Sequence, residues 1–434
     1  MAPKAKIIID TDPGIDDILA MLLAFAASPD EVEVLLISLT FGNIEVQNCL
    51  RNVVSMLHIL DREMQWRKDQ GKPEGFDTLR ARKPVIAVGA QEPLDDQKML
   101  ADYFRKITQF IIIMYMHTDL RQTAKTVSEH PHLTPGESWE HLFAPISDPD
   151  VLPNVAASTS HQAFVPSRQH ASDEILRVLQ ENEADTVTIV AVGPLTNLAL
   201  AAAKDPETFL RVKEVVVMGG AVNEAGNVTP VGEFNAYADS VAAARVFALT
   251  SANPDSTLPL SQKLNPYPPN LSKTLTLKLF PLDITLKHNL SRGDFDHTIA
   301  PLLQAGSPLA EWVSAFMAHV FQTLERLHPG HEGASAKLSL HDPVCVWYAL
   351  TADDARWRAT RTSPEDIRIE TAGQWTRGMC VIDRRNRHKI DSEVESHSDH
   401  GLWLSSRAGN RIIRMEESPG GDSFGLVLLK KLFG

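Results

Sequence analysis

Eight residues near the start of the chain, Asp10-Thr11-Asp12-Pro13-Gly14-Ile15-Asp16-Asp17, carry four carboxylates. The run before them, Lys6-Ile7-Ile8-Ile9, reads as a short buried parallel strand, and Ile18–Phe25 after them reads as a helix, with Pro13-Gly14 as the turn between the two. Four negative charges within a few ångströms cannot all stay ionised without compensation, so either some pKa values rise or a cation sits among them. Hard carboxylate oxygens with no adjacent Cys or His point to Ca²⁺ or Mg²⁺ rather than Zn²⁺. Capping of the helix by Asp16 and Asp17 accounts for one or two of the four acids at most.

Three further motifs carry polar groups, two of them at strand ends and one at the head of a helix. Met218-Gly219-Gly220 is followed by Gly226-Asn227-Val228-Thr229-Pro230-Val231-Gly232-Glu233-Phe234-Asn235. Its glycines allow close backbone approach to a ligand, and Asn227, Glu233 and Asn235 offer groups suited to a polyhydroxyl ligand such as a sugar. His341-Asp342-Pro343 heads an apolar helix, as a cap with Pro at the first helical position or as an acid placed next to a metal ligand. Val190–Asn197 is another strand-to-helix corner, whose strand-end carbonyls could complete an oxygen-rich cation site.

Taken together, these motifs resemble those of the calcium-dependent, inosine–uridine-preferring nucleoside hydrolase family. The resemblance spans about residues 5–100 and 165–385. It implies hydrolysis of the N-glycosidic bond of ribonucleosides to free base and ribose, with Ca²⁺ bound by Asp12, Asp17, Asp342 and the main-chain carbonyl of Val192. Asp12 would also be the general base on a calcium-bound water, supported from behind by Asp10. Asp16, Asn43 and Asn235 would bind the ribose 2′- and 3′-hydroxyls, Asn227 and Glu233 the 5′-hydroxyl, and His341 would protonate the departing base. These roles are chemically coherent, because the reaction needs a stabilised oxocarbenium-like ribose, an activated water and a neutralised leaving base.

The chain departs from the family at one loop. Family members carry His-Gly-x-Asp-Gly-Leu-Gly, a lid over the substrate, after the segment matching Leu100–Phe104, whereas here Arg105–Ile113 follows and no glycine occurs between Gly89 and Gly136. A flexible lid is hard to build without glycine. Either residues 105–129 are a genuine insertion, or they record a retained intron with a frame error. Codons for Arg105-Lys106 can hold a splice donor and those for Arg121-Gln122 an acceptor, and Thr123–Glu129 read one nucleotide earlier permits the lid sequence. Two rival functions stand beside the hydrolase. One is a degenerate family member that binds nucleoside or a protein partner without turnover. The other is a Mg²⁺-dependent aspartate phosphohydrolase, disfavoured because Asp16-Asp17 would repel a phosphate.

The elements that must position these groups alternate. Strand-like runs at Val32–Thr40, Pro84–Val88, Thr186–Val192, Val212–Met218 and Thr276–Leu282 are separated by helical patterns around Val46–Leu60, Leu195–Ala203, Ser240–Leu249 and Leu309–Leu327. This predicts an α/β fold with an open, mostly parallel sheet and helices on both faces, whose ligands bind beyond the carboxyl ends of the strands. One α/β domain is expected over residues 5–390, with surface insertions near 63–83, 105–166 and 251–273, followed by a small β-rich tail or hairpin region over 391–434. A net charge of −13 argues against a nucleic-acid partner. The apolar run Phe110–Met116 is far short of a membrane span, and three scattered cysteines form neither a disulfide framework nor a zinc pattern. A soluble, cytoplasmic enzyme is therefore expected, and the resemblance implies a homodimer or homotetramer.

Overall fold

Ile7, Ile8 and Ile9 are wholly buried, yet they face different cores: Ile7 and Ile9 join one apolar cluster and Ile8 the other. Alternation on a strand sends successive side chains to opposite faces, so a strand apolar on both faces must be covered on both. The computed structural model of the protein shows this arrangement and describes residues 5–95, 98–100, 142–143, 163–259, 261, 263–327, 332–392 and 394–434.

The strands are β1 (Ala5–Thr11), β2 (Val32–Leu39), β3 (Val85–Val88), β4 (Val165–Pro166), β5 (Val187–Ala191), β6 (Glu214–Met218), β7 (Leu277–Phe280), β8 (Asn289–Ser291), β9 (Lys337–Ser339), β10 (Arg358–Ala359), β11 (Arg368–Ile369), β12 (Cys380–Val381) and β13 (Ile413–Glu417). Nine of them form the central sheet in the order β10-β13-β7-β6-β5-β1-β2-β3-β4. Every neighbouring pair is parallel except β10–β13. β1 pairs with β2 on one side and β5 on the other, so the winding reverses there. Ligands in such sheets bind outside the carboxyl ends at this reversal.

The helices are α1 (Ile15–Ala26), α2 (Val46–Asp69), α3 (Asp77–Ala81), α4 (Ala171–Glu181), α5 (Thr196–Lys204), α6 (Pro206–Phe209), α7 (Phe234–Ala238), α8 (Ser240–Ala248), α9 (Leu282–Thr285), α10 (Arg292–Gln304), α11 (Pro308–Leu327), α12 (His341–Thr351) and α13 (Phe424–Phe433). Residues of α1, α2, α11 and α12 build the cluster that holds Ile7, and residues of α4, α5 and α8 build the one that holds Ile8. Among the described residues no helix is long and apolar enough to cross a membrane.

Several boundaries differ from expectation. Residues 63–83 are no surface insertion throughout: α2 runs on to Asp69, and Glu63 is buried, accepting from the Ser307 hydroxyl (2.7 Å), the Leu309 N–H (3.1 Å) and Arg67 (2.7 Å). Polar residues hid the continuation because this helix turns only one face to the core. Most of the 105–166 insertion, including the lid departure, lies outside the described residues, but its end, Val165–Pro166, is an edge strand beside β3. Residues 251–273 are largely coil, anchored by buried Tyr267 under the Arg245 guanidinium at 5.1 Å. The 391–434 tail is not a region apart. β13 joins the central sheet next to β7, and α13 buries Phe424, Leu428 and Leu432 in the main core. The hairpin, β11 with β12, comes before it.

Candidate active site

At the end of β1 the chain turns through Pro13-Gly14 into α1. Asp17 closes that turn: its carboxylate accepts from the N–H of Gly14 (2.9 Å) and Asp12 (3.3 Å), the Thr11 hydroxyl (2.5 Å) and the Asn43 amide (3.1 Å). Capping therefore explains Asp17 and leaves the other acids unexplained. Asp16, Asp17 and Asp342 are all buried, and each offers an oxygen within 4.8 Å of the other two. Asp342 comes from the first turn of α12, more than 300 residues away in the chain, so the packing of α12 against α1 has brought these carboxylates together.

Asp12 stands beside this trio. Its Oδ2 accepts from the Asn43 N–H at 2.5 Å, and its Oδ1 is buried with no hydrogen-bond partner. Two glycines make room for it: a Cβ on Gly42 would lie 2.0 Å from Asp12 Oδ2, and one on Gly193 would lie 2.7 Å from Oδ1. Asp10 lies behind, hydrogen-bonded by the Ser38 hydroxyl and by the Asn197 amide at 2.9 Å.

Burial raises the pKa of each of these acids, and the neighbouring charges of Asp17 and Asp16 push Asp12 further up. Asp10 and Asp16 are each pushed up to about 7. The cluster thus holds negative charge only at a cost that a divalent cation would offset.

Across the sheet, the ends of β5 and β6 carry the remaining polar groups. The Asn235 amide donates to the Val192 carbonyl at 2.9 Å and to the Met218 carbonyl at 3.3 Å. That leaves one lone pair on the Val192 oxygen. Glu233 caps α7, its oxygens accepting from the N–H groups of Asn235 (2.9 Å), Ala236 (3.0 Å) and Gly220 (2.7 Å). Asn227 is exposed on the loop before it, and its side-chain oxygen accepts from the Phe234 N–H at 2.9 Å.

His341 is half-buried, with Nδ1 2.7 Å from the Thr285 hydroxyl. Burial, then the nearby His288, pushes its pKa down to about 4, so the resting imidazole is neutral near pH 7. Where Thr285 donates to Nδ1, the ring's N–H is on Nε2 and free to meet a ligand.

Sequence reading passed over two contributors. Asn197 joins three strand ends: its amide donates to Asp10, to the Ser38 hydroxyl (3.1 Å) and to the Leu39 carbonyl (3.0 Å), while its oxygen accepts from the Ala90 N–H (2.8 Å). Asn52 on α2 donates to the Pro13 carbonyl at 2.8 Å and so holds the turn. An Asn inside an apolar helical pattern was the signal available for both.

The buried acids lie at the carboxyl ends of a parallel sheet where its winding reverses, and three of them could share a metal ion. The chain belongs to the inosine-uridine preferring nucleoside hydrolase family, whose model matches residues 7–400. It is 31% identical over 382 residues to an uncharacterized protein of Schizosaccharomyces pombe, covering 87% of this chain and 89% of the relative. It is 28% identical over 377 residues to the pyrimidine-specific ribonucleoside hydrolase RihA of Klebsiella pneumoniae, covering 87% and 88%. Among solved structures, a purine-preferring ribonucleoside hydrolase from Gardnerella vaginalis shares the fold with a TM-score of 0.61 at 19% identity, covering 99% of this chain and 98% of that one. A plant nucleoside hydrolase does so with a TM-score of 0.59 at 18% identity, with the same coverage of 99% and 98%. The family makes this chain a nucleoside hydrolase, which sets aside the phosphohydrolase reading.

Proposed function

We propose that the chain cleaves ribonucleosides to free base and ribose with Asp12 as general base, and that Asp12, Asp17, Asp342 and the Val192 carbonyl hold Ca²⁺. The observation that carries this reading is Asp12 Oδ1, a buried carboxylate oxygen without a protein partner, next to three more buried acids. An all-oxygen donor set fits a hard divalent cation. When bound, such an ion supplies Lewis acidity that makes water acidic near neutral pH, and a template for a vicinal diol.

The residues of the chain do the rest. Asp12 takes a proton from water as its oxygen attacks C1′, and the C1′–N bond breaks with its electron pair leaving on the base. His341 hydrogen-bonds the departing base through Nε2–H, with Thr285 beside the ring, and transfers a proton to it only from its cationic form, which takes that proton from solvent because the resting ring is neutral. Asp16, Asn43 and Asn235 hold the 2′- and 3′-hydroxyls. Asn227 and Glu233 hold the 5′-hydroxyl; three N–H groups already bond Glu233, and a carboxylate has about four acceptor sites. Asp10 supports Asp12 from two residues earlier, held at the end of β1 by Ser38 and Asn197. Assembly as a homodimer or homotetramer and residence in the cytoplasm belong to the same proposal; the three cysteines are all unpaired and buried.

The test is a panel of inosine, adenosine, uridine and cytidine with added Ca²⁺, scoring free base and ribose. Equal amounts of both products are expected. Nucleoside binding by calorimetry without product would make the chain a non-catalytic binder.

A further inference from the structure

We infer that the β11–β12 hairpin is a positioning element for the loop that meets the 5′ end of the substrate, with Arg377 at its centre. The inference rests on the proposed assignment of Asn227 and Glu233 to the 5′-hydroxyl.

The loop from Gly219 to Asn235 carries four glycines, Gly219, Gly220, Gly226 and Gly232, which give it a large conformational entropy to lose. Glu233 fixes only its two ends, by bonding the N–H of Gly220 and capping α7. The Asp283 carboxylate accepts from the N–H groups of Val222 and Asn223 (2.9 Å each) near its start, and the outer side of the loop from Gly232 onward is held by the hairpin. Gly232 and Met379 form an antiparallel bridge. The Arg377 guanidinium lies 4.0 Å from the centre of the Tyr237 ring and donates to the Tyr237 carbonyl at 3.0 Å. Just past β12, Arg384 donates to the Val222 carbonyl at 2.8 Å and to the Asn223 side chain at 3.2 Å.

The fit between the two segments is close enough to need glycine on each side. Gly378 has a φ of +78°, and a Cβ there would lie 2.8 Å from Tyr237 Cα. Gly220 also has a φ of +78°, and a Cβ there would lie 2.4 Å from Cys380 Sγ. Tyr237 sits two residues after Asn235 on α7, so the hairpin sets where that helix begins and, with it, where Glu233 and Asn227 stand. None of the hairpin residues is one we place against substrate. They act through the loop.

The experiment compares Arg377→Met with wild type on one ribonucleoside, whichever of inosine or uridine wild type cleaves faster, and on its 5′-deoxy analogue. Wild type is expected to prefer the hydroxylated substrate. In Arg377→Met that preference in kcat/KM is expected to fall about 10-fold or more, chiefly through KM, while the 5′-deoxy substrate changes by less than about 3-fold. Tyr237→Leu, which removes the ring from under the guanidinium, is the second variant and is expected to reproduce the pattern. Equal losses on both substrates in variants that melt like wild type, or no loss on either, would overturn the inference. A wild type that cleaves both substrates equally well would instead overturn the 5′-hydroxyl assignment on which it rests, and absence of turnover in wild type would overturn the proposed function.

Discussion

The backbone N–H of Asn43 donates to Asp12 Oδ2 at 2.5 Å, while the other oxygen of that carboxylate, buried and without a hydrogen-bond partner, lies against Gly193, where a Cβ would fall 2.7 Å from it. The contact joins the end of β1 to the loop that leaves β2, and it exists because residue 42 has no side chain. A Cβ on Gly42 would fall 2.0 Å from Asp12 Oδ2 and 2.9 Å from the Pro194 ring.

Gly42→Ala is therefore expected to push Asp12 out of place while the rest of the fold persists. A general base displaced by about 1 Å can cost on the order of 100-fold in rate. Steady-state kcat, with circular dichroism as the folding control, measures this. An unchanged kcat would show that Asp12 tolerates displacement and does not act from this position.

Asn197→Ala tests the joint beneath the site. It deletes bonds to Asp10, Leu39 and Ala90 and leaves the Ala90 N–H buried without its acceptor. An expected loss of about 2–4 kcal/mol follows from stranding more than one buried polar group. The midpoint of chemical denaturation reads it, and a shift equivalent to under about 1 kcal/mol would contradict it.

A pH dependence follows from His288. The ring is buried edge-on against the stacked Trp347–Phe424 pair, gives its Nδ1–H to the Ile284 carbonyl at 3.0 Å, and accepts from Ser418 at 2.6 Å. Burial pushes its pKa down from 6.5 to about 4, with Lys287 lowering it and Asp422 raising it by smaller amounts. A folded pKa below the unfolded one means the unfolded chain binds the proton first. The stabilisation is complete above pH 6.5 and is lost as pH falls from 6.5 toward 4. Between pH 7.5 and 5 the loss from this group is on the order of 2 kcal/mol. His288→Gln is expected to flatten the wild-type stability profile by that amount, as read from urea midpoints at the two pH values. An unaltered profile would mean that His288 does not titrate in this window.

How much of this was legible in the sequence depends on how local each feature is. The Asp10–Asp17 turn could be read because strand, turn residues and helix lie within 20 residues, and the corner fixes where those acids go. The Val192 and Gly219 motifs could be placed at the sheet edge for the same reason, whereas His341 follows β9, outside the central sheet, and reaches the site only through the packing of α12 on α1. Partners set by distant packing could not. Nothing in the local pattern of Ile413–Glu417 says that it pairs with β7, 135 residues earlier by the Lys278–Ile413 register. Glu63 reads as a solvent-facing residue until Ser307 and Leu309 arrive to bond it. The capping role of Glu233 was equally hidden, since the Gly220 N–H it accepts from is set by the turn after β6. The short helix α3 was hidden too, because it starts after Phe76 in the left-handed region at a φ of +51°.

The central claim is that the acid cluster holds a divalent cation and that Asp12 works beside it. The most direct measurement follows base release and melting temperature together, for wild type and Asp12→Asn, before and after chelation and on adding back Ca²⁺. Wild type is expected to lose turnover on chelation and regain it with Ca²⁺, and to gain about 2.7 kcal/mol of stability at a hundredfold excess of Ca²⁺ over its dissociation constant. Asp12→Asn is expected to fold and to stay inactive at every Ca²⁺ concentration. Turnover and melting temperature that do not respond to chelation, or an active Asp12→Asn, would contradict the account.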